Sequence, residues 1–248
     1  MEKRHAFILA SLILVLILIN FFSFTSFSIK GQEREKAVIS RIIDGDTLEL
    51  SDGRIIRLLN INSPEKGAFG ANLSADFLRK FENKTIELEI TGIDKYKRTL
   101  ARIYAPKYLN LELVRQGLAS KFLVDESELK EFSKAEESAI KNSLGIWETS
   151  SFFGCFNFKI DKIDENVLIE NDCSEINVNE WILKDESRKV YTFSDILLGK
   201  ITLHSTIGND SLTDLFWQSK TDIWNNDRDS LYLFDSNGGM AGYESYGY

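Results

Sequence analysis

The chain has 248 residues, enough for one large domain or two ordinary ones whose cores need no staples. Its formal net charge is -8, which argues against a protein that coats nucleic acid in bulk. Two histidines and two cysteines occur, none of them between residues 36 and 148. That stretch therefore excludes Ser-His-Asp and Cys-His nucleophiles and histidine-ligated zinc, and leaves carboxylates, arginines and an oxygen-bound hard metal as its chemistry.

Met1–His5 is short and basic. Ala6–Ile29 follows without a charged side chain, beginning AFILASLILVLILINFF, and is long enough to span a bilayer. The basic start predicts that the rest of the chain is exported. Residues 1–30 read as a signal peptide or a membrane anchor; a cleaved signal favours a shorter apolar core and a small-x-small site than SFTSFSIKGQ offers. Residues 31–36 read as a polar linker. A boundary is then predicted near 149, because residues 36–148 carry 18 basic and 18 acidic side chains whereas 149–248 carry 8 and 17. The domains expected are 37–149 and 150–248.

Val38–Ile43, Thr47–Leu50 and Ile55–Leu59 alternate apolar and polar residues and read as half-buried strands. Asp52-Gly53 between the second and third is a hairpin signal, because a tight primed turn needs positive φ. The hairpin brings its polar ends, Asp44–Thr47 and Asn62–Glu65, into one neighbourhood. Acids gathered there suit a cation or a water to be activated, and Arg57 among them suits an anion such as phosphate. Leu73–Phe81 reads as a helix capped by Asn72 or Ser74. Thr85–Ile90 and Thr99–Tyr104 read as strands, Asn110–Leu118 as a short helix ended by Gly117. Ser127–Leu144 reads as a longer helix, with Asp125 and Glu128 as a capping box and Gly145 as its stop. Ile146 and Trp147 are expected to dock that helix on the barrel. Five strands and three helices predict an α+β fold built on a small Greek-key OB-fold barrel.

IDGDT at 43–47, RLLNINSPE at 57–65, DKYKRTLARIY at 94–104 and NLELVRQGLA at 110–119 together resemble the staphylococcal nuclease (thermonuclease) family in order and spacing. One such motif is weak and four in order are specific; the resemblance covers roughly Lys36–Trp147. It implies the same OB-fold and a calcium-dependent nuclease acting on single-stranded or frayed DNA and RNA, cutting on the 5′-oxygen side to leave 3′-phosphates. By that resemblance Asp46, Asn62 and the Ser63 carbonyl ligate Ca2+, and Glu65 orients or deprotonates the attacking water. Arg57 and Arg98 clamp the phosphate, and Lys95 and Tyr96 contact a nucleotide's terminal phosphate. Asp44 and Thr47 support the metal site from behind. Asn62 departs from the pattern, since the family often has a second aspartate there; one negative charge is lost and calcium affinity falls with it. The tyrosines that stack bases in the family are missing after Gly117, where Phe122 stands instead.

From Ser151 onward short strands with polar turns every eight to twelve residues predict an all-β sandwich. NEWILKDESRKVYTF at 179–193 and TDLFWQSKTDIWNNDRDSLYLFDSNG at 213–238 resemble a lamin-tail domain, an immunoglobulin-like sandwich. Trp181, Trp217 and Trp224 are expected in its core and His204 on its surface. Cys155 and Cys173 flank one strand and can form a disulfide, a staple worth roughly 3 kcal/mol if it closes, given an oxidising compartment. The acidic balance of this half suits a protein or envelope partner better than nucleic acid. The expected protein is an extracytoplasmic nuclease, secreted or anchored by one N-terminal span in the membrane. The alternative is a catalytically weak nucleic-acid- or protein-binding module at the cell envelope.

Overall fold

The turn at Asp52-Gly53 forms as the sequence predicts. Gly53 takes φ 87°, Leu50 and Arg54 close the hairpin at 2.9 Å, and β2 (Thr47–Leu50) pairs antiparallel with β3 (Ile55–Leu58) so that Thr47 faces Arg57. These come from a computed structural model that describes residues 34–248. The segment expected to be a signal peptide or anchor lies outside the described residues; among the described residues no helix is long and apolar enough to cross a membrane.

With β1 (Glu35–Ile42), β5 (Thr85–Ile93) and β6 (Thr99–Tyr104), the hairpin closes a five-stranded barrel in the order β1-β2-β3-β6-β5. β3 and β6 run parallel. The alternation seen in sequence fills the barrel: Ile39, Leu48, Leu50, Ile56, Leu58, Leu88 and Ile103 are all buried. Short β4 (Ile61–Asn62) pairs with β7 (Ser120–Lys121) outside the barrel. Three helices join it: α1 (Ala71–Arg79), α2 (Leu109–Arg115) and α3 (Leu129–Lys141). Asn110, fully buried at the start of α2, accepts from the Ile103 amide at 3.0 Å. Its own amide donates to Leu59 O and Ala101 O at 3.0 and 3.1 Å, which bolts the helix to two strands.

Two local expectations, both of helix caps, fail for one reason. Neither Asn72 nor Ser74 caps α1; the helix starts from Gly70 in left-handed conformation (φ 79°) without a side-chain cap, and the buried Ser74 hydroxyl donates to Leu118 O instead. Asp125 and Glu128 form no capping box on α3. Both carboxylates are claimed by Arg102, a β6 side chain that also pairs with Glu89 at 3.0 Å. Ile146 and Trp147, in the 3-10 turn Gly145–Trp147, do hold the end of α3 on the barrel half, where the Ile146 amide donates to Gly117 O at 2.8 Å. They join Ala139 and Ile140 against Tyr232 and Met240 of the C-terminal half. At both caps a tertiary partner displaces the nearest sequence neighbour.

After Thr149 come two four-stranded sheets. One has the order β15-β14-β9-β8, from Asp214–Phe216, Lys200–His204, Asn166–Asn171 and Phe156–Asp161. The other has the order β12-β11-β16-β17, from Val190–Thr192, Ile182–Asp185, Asp229–Phe234 and Met240–Tyr246. β10 (Ile176–Asn177) and β13 (Leu197–Leu198) form a separate pair. The two large sheets share a core of Ile169, Leu183, Ile201, Leu203, Leu231 and Leu233, with Trp181 and Trp224 buried in it and Trp217 against it. Cys155 and Cys173 are disulfide-bonded, with Cα atoms 5.3 Å apart. His204 lies on β14, its Nε2 3.0 Å from Asp214 and its ring stacked on Phe216.

β16 is buried on both faces. Leu231 and Leu233 point into the sandwich, while Tyr232 faces α3 and Trp147, because side chains alternate across a strand. That second face fastens the sheet to the barrel, and a buried ion pair between Lys121 and Glu136 strengthens the seam. Lys121 also donates to Ser230 at 2.9 Å. Residues 36–248 accordingly cluster as one unit.

Candidate active site

The loop between β1 and β2 carries Asp44, Gly45 and Asp46. It reaches the segment after β4 so closely that a Cβ on Gly45 would lie 2.4 Å from Ser74 Cβ and 2.7 Å from Ser63 Cβ. Only glycine allows this approach, and the approach joins the two polar ends of the hairpin. Ser63 donates to Asp46 Oδ2 through its amide at 3.0 Å and its hydroxyl at 3.2 Å. Thr47 Oγ1 donates to Asp46 Oδ1 at 2.9 Å, and Arg57 Nε lies 3.3 Å from the same oxygen. Asp46, Thr47, Arg57, Asn62 and Ser63 are all buried. Asp44 accepts from the Asp46 amide at 3.0 Å; burial first, and then the Asp46 charge, raise its pKa above the ordinary carboxylate value.

Arg57 is held along its whole guanidinium. It donates to Leu58 O, to Ile61 O at 2.7 Å and to Asn62 Oδ1. Burial pulls its pKa below the ordinary arginine value; Asp46 opposes this, and the Arg188 and Arg98 charges add to it. Glu65 stands beside this cluster with its side chain 70 % exposed. Arg98 projects from the turn just before β6, its Nε paired with Asp94 at 2.8 Å and its guanidinium 5.4 Å from the Tyr96 ring centroid. Lys95 Nζ lies 5.1 Å from the same ring, which is exposed. Asp46, Arg57, Asn62, Ser63 and Glu65 thus come together. Lys95, Tyr96 and Arg98 form a second, more exposed group whose charge reaches Arg57.

One residue at the centre carries no signal in the sequence. Arg188, at the tip of the hairpin between β11 and β12, extends from the C-terminal sheet into the cluster. Its Nη1 lies 3.0 Å from Ser63 O, 3.0 Å from Glu65 Oε1 and 3.8 Å from Asp46 Oδ2. Two residues earlier, Glu186 O accepts from the Asn62 amide at 2.9 Å. DESRK between two alternating segments announces a turn, but nothing local says that the tip enters another site.

A cleft of about 410 Å3 opens beside Glu65 and Arg188, with Phe69, Ile182, Val190 and Phe234 as apolar wall and Lys184 within it. Burial lowers the Lys184 pKa to about 8, and its Nζ lies 4.7 Å from the Phe234 ring centroid.

The donor set assigned to calcium is oxygen only, as a hard cation requires. In this conformation the Asn62 carbonyl oxygen accepts from Arg57 and the Ser63 carbonyl from Arg188. Among the described residues no group of three or more His, Cys, Asp or Glu side chains converges on one point. Asp46 and Ser63 are oxygen donors of the kind a hard cation takes, and in this conformation both are engaged by donors of the protein itself.

Residues 55–149 match the family described as "Staphylococcal nuclease homologue". The chain is 34 % identical over 136 residues to an uncharacterized endonuclease of Haemophilus influenzae, a match spanning 50 % of this chain and 72 % of that protein. It is 31 % identical over 130 residues to the micrococcal nuclease of Shigella flexneri, spanning 44 % and 71 %. With an uncharacterized endonuclease of Escherichia coli it shares 37 % over 87 residues, spanning 33 % and 57 %.

Proposed function

The chain belongs to the staphylococcal nuclease family, and from that premise we propose that it is a calcium-dependent phosphodiester hydrolase of single-stranded or frayed DNA and RNA, cutting on the 5′-oxygen side to leave 3′-phosphates. That the chain is a nuclease follows from the family; the metal, the bond cut and the substrate are our reading. The observation that carries it is the joining of Asp46, Arg57 and Ser63 in one buried polar cluster with Glu65 exposed at its rim. Asp46, the Ser63 carbonyl and the Asn62 carbonyl oxygen would hold calcium, which when bound would supply Lewis-acid stabilisation of phosphoryl charge.

The chain's own residues divide the remaining work. Arg57, fixed by backbone carbonyls and nearly desolvated, presents positive charge that need not reorganise as the phosphoryl group gains negative charge. Arg98 meets the phosphate from the exposed side and supports the leaving oxygen. Glu65, exposed to solvent, takes the proton of the attacking water. Asp44 and Thr47 hold Asp46 in register. Lys95 and Tyr96 contact a terminal phosphate of the strand. The cleft beside Glu65 offers a neighbouring base an apolar wall at Phe69, Ile182 and Val190, apart from the segment after Gly117 that lacks the stacking tyrosines.

The C-terminal sheets are read as a lamin-tail-like, immunoglobulin-like module for a protein or envelope partner. The Cys155–Cys173 disulfide supports an extracytoplasmic location, with the N-terminal segment as anchor or cleaved signal. A second reading, a catalytically weak binding module, is favoured by Asn62 and by the arginine lodged among the metal donors. Cleavage of single-stranded DNA by the chain from Gln32 onward, titrated with calcium against chelator, separates the two. Under the enzyme reading cleavage needs calcium and collapses in Glu65→Gln and Arg98→Ala. A wild type that binds the strand but leaves it uncut at millimolar calcium establishes the binding module.

A further inference from the structure

We propose that Arg188 is a built-in cation of the nuclease centre: the C-terminal sheet lends its guanidinium to Asp46, Ser63 and Glu65, and a divalent cation gains its site only by displacing it. The inference rests on the calcium-dependent reading above and adds the regulation of that site.

The hairpin tip is built to deliver this side chain. Arg188 adopts φ 75°, a left-handed conformation that a non-glycine residue keeps only when its surroundings impose it. Asp185 imposes it. Its carbonyl accepts from the Arg188 amide at 3.3 Å, and its carboxylate accepts from the Lys189 amide at 2.7 Å and from the Ser187 hydroxyl. The strands beneath cannot slide, since β11 is paired on both sides, by β12 and β16. The tip is tethered a second time where Asn62 donates to Glu186 O. Residues 186 and 188 of one turn thus engage all three residues assigned to the metal and the one assigned to the water.

Arginine and a divalent cation cannot share this place. Calcium sits about 2.3–2.6 Å from its oxygens, whereas Nη1 already lies 3.0 Å from Ser63 O and from Glu65 Oε1. Both need the same lone pairs, and like charges at such separation repel. The competition is nonetheless reversible. Arg188 keeps 33 % of its side-chain exposure and Glu65 keeps 70 %, so the pair is solvated and weak. The seam at Trp147 and Tyr232 is buried and rests on residues outside the turn. Release therefore needs a local movement of the turn and leaves the two halves docked. With Arg188 in place, Glu65 has one oxygen committed to a donor and the centre has no open metal position. The enzyme is latched until calcium rises.

Calorimetric titration of the full chain with calcium chloride, without nucleic acid, tests this. Arg188→Gln removes the charge and keeps a donor; Arg188→Lys keeps the charge. The expected result is calcium binding at least tenfold tighter in Arg188→Gln than in wild type, with Arg188→Lys near wild type. Hydrogen exchange of residues 185–189 in the wild-type chain is expected to speed up when calcium is added. Calcium affinity that is unchanged or weaker in Arg188→Gln overturns the proposal, as does exchange that slows. Tighter binding in Arg188→Gln without cleavage by any form keeps the competition and overturns the nuclease mechanism. Absence of calcium binding in every form overturns the competition and leaves chelator-resistant cleavage as the measure of the nuclease.

Discussion

Trp147 stacks on Tyr232 with ring centroids 5.1 Å apart and planes inclined by 29°, and neither side chain is exposed to more than a trace of solvent. This pair joins the last turn of the barrel half to the outer face of β16. Truncating a buried tryptophan costs about 3–5 kcal/mol. Trp147→Ala is therefore expected to lower the melting temperature by many degrees. It should also make residues 150–248 more accessible to limited proteolysis, because the seam loses its largest ring. A variant that melts with the wild type shows that the seam rests elsewhere.

Gly45→Ala is a test of close approach. The added methyl meets Ser74 and Ser63 at 2.4 and 2.7 Å, so the loop must retreat from both. Overpacking of this kind costs about 1–3 kcal/mol. It also pulls Asp46 away from the Ser63 amide that orients it, so cleavage should fall more than stability does. Activity per folded molecule, set beside the melting temperature, gives the comparison.

Arg57→Lys keeps the charge and loses the fork. A lysine cannot satisfy Leu58 O, Ile61 O, Asn62 Oδ1 and Asp46 together. Buried acceptors left without donors cost about 1–3 kcal/mol, and loss of a preorganised donor lowers turnover by about 10²-fold or more. Equal turnover in the variant would remove Arg57 from the mechanism.

Glu186 makes stability depend on pH. Burial first, then the Asp229 and Glu136 charges, raise its pKa to about 8, while Tyr248 and Lys121 pull the other way. Asp229 is raised to about 6, again mainly by burial. A carboxyl whose folded pKa is raised binds its proton more tightly in the folded chain. Its contribution is complete below the unfolded value near 4.5 and is lost as pH rises through about 8. Melting temperature is thus expected to decline from about pH 5 towards pH 9 through this group, and Glu186→Gln should flatten the decline. An equally steep decline in the variant assigns the effect to other groups.

How much of this was legible in the sequence depends on how far each signal reaches. The Asp52-Gly53 turn and the alternation of Leu48, Leu50, Ile56 and Leu58 act within a few residues, and they formed as expected. The convergence of Asp46 with Ser63 followed from them, because a hairpin of that length must bring its ends together. The helix caps were misread because capping is a weak local preference. Arg102, arriving from β6, offers Asp125 and Glu128 a stronger charged partner than a helix N-terminus does. Ser74 was claimed by Leu118 O in the same way.

By itself the sequence determined the kinds of chemistry available. Without histidine or cysteine between residues 36 and 148, that stretch offers only carboxylates, arginines and oxygen donors; which of them to assign came from the family resemblance. The sequence also determined the hairpin that assembles them, since turn and alternation are short-range and additive. Only the tertiary structure decided that Arg188 completes the cluster and that Glu186 holds Asn62. An arginine at a hairpin tip satisfies local physics equally well in water. What sends it to Ser63 and Glu65 is the packing of Tyr232 on Trp147 and the hydrogen bond from Lys121 to Ser230, contacts between residues remote in sequence. Their free energy exists only once both halves have folded.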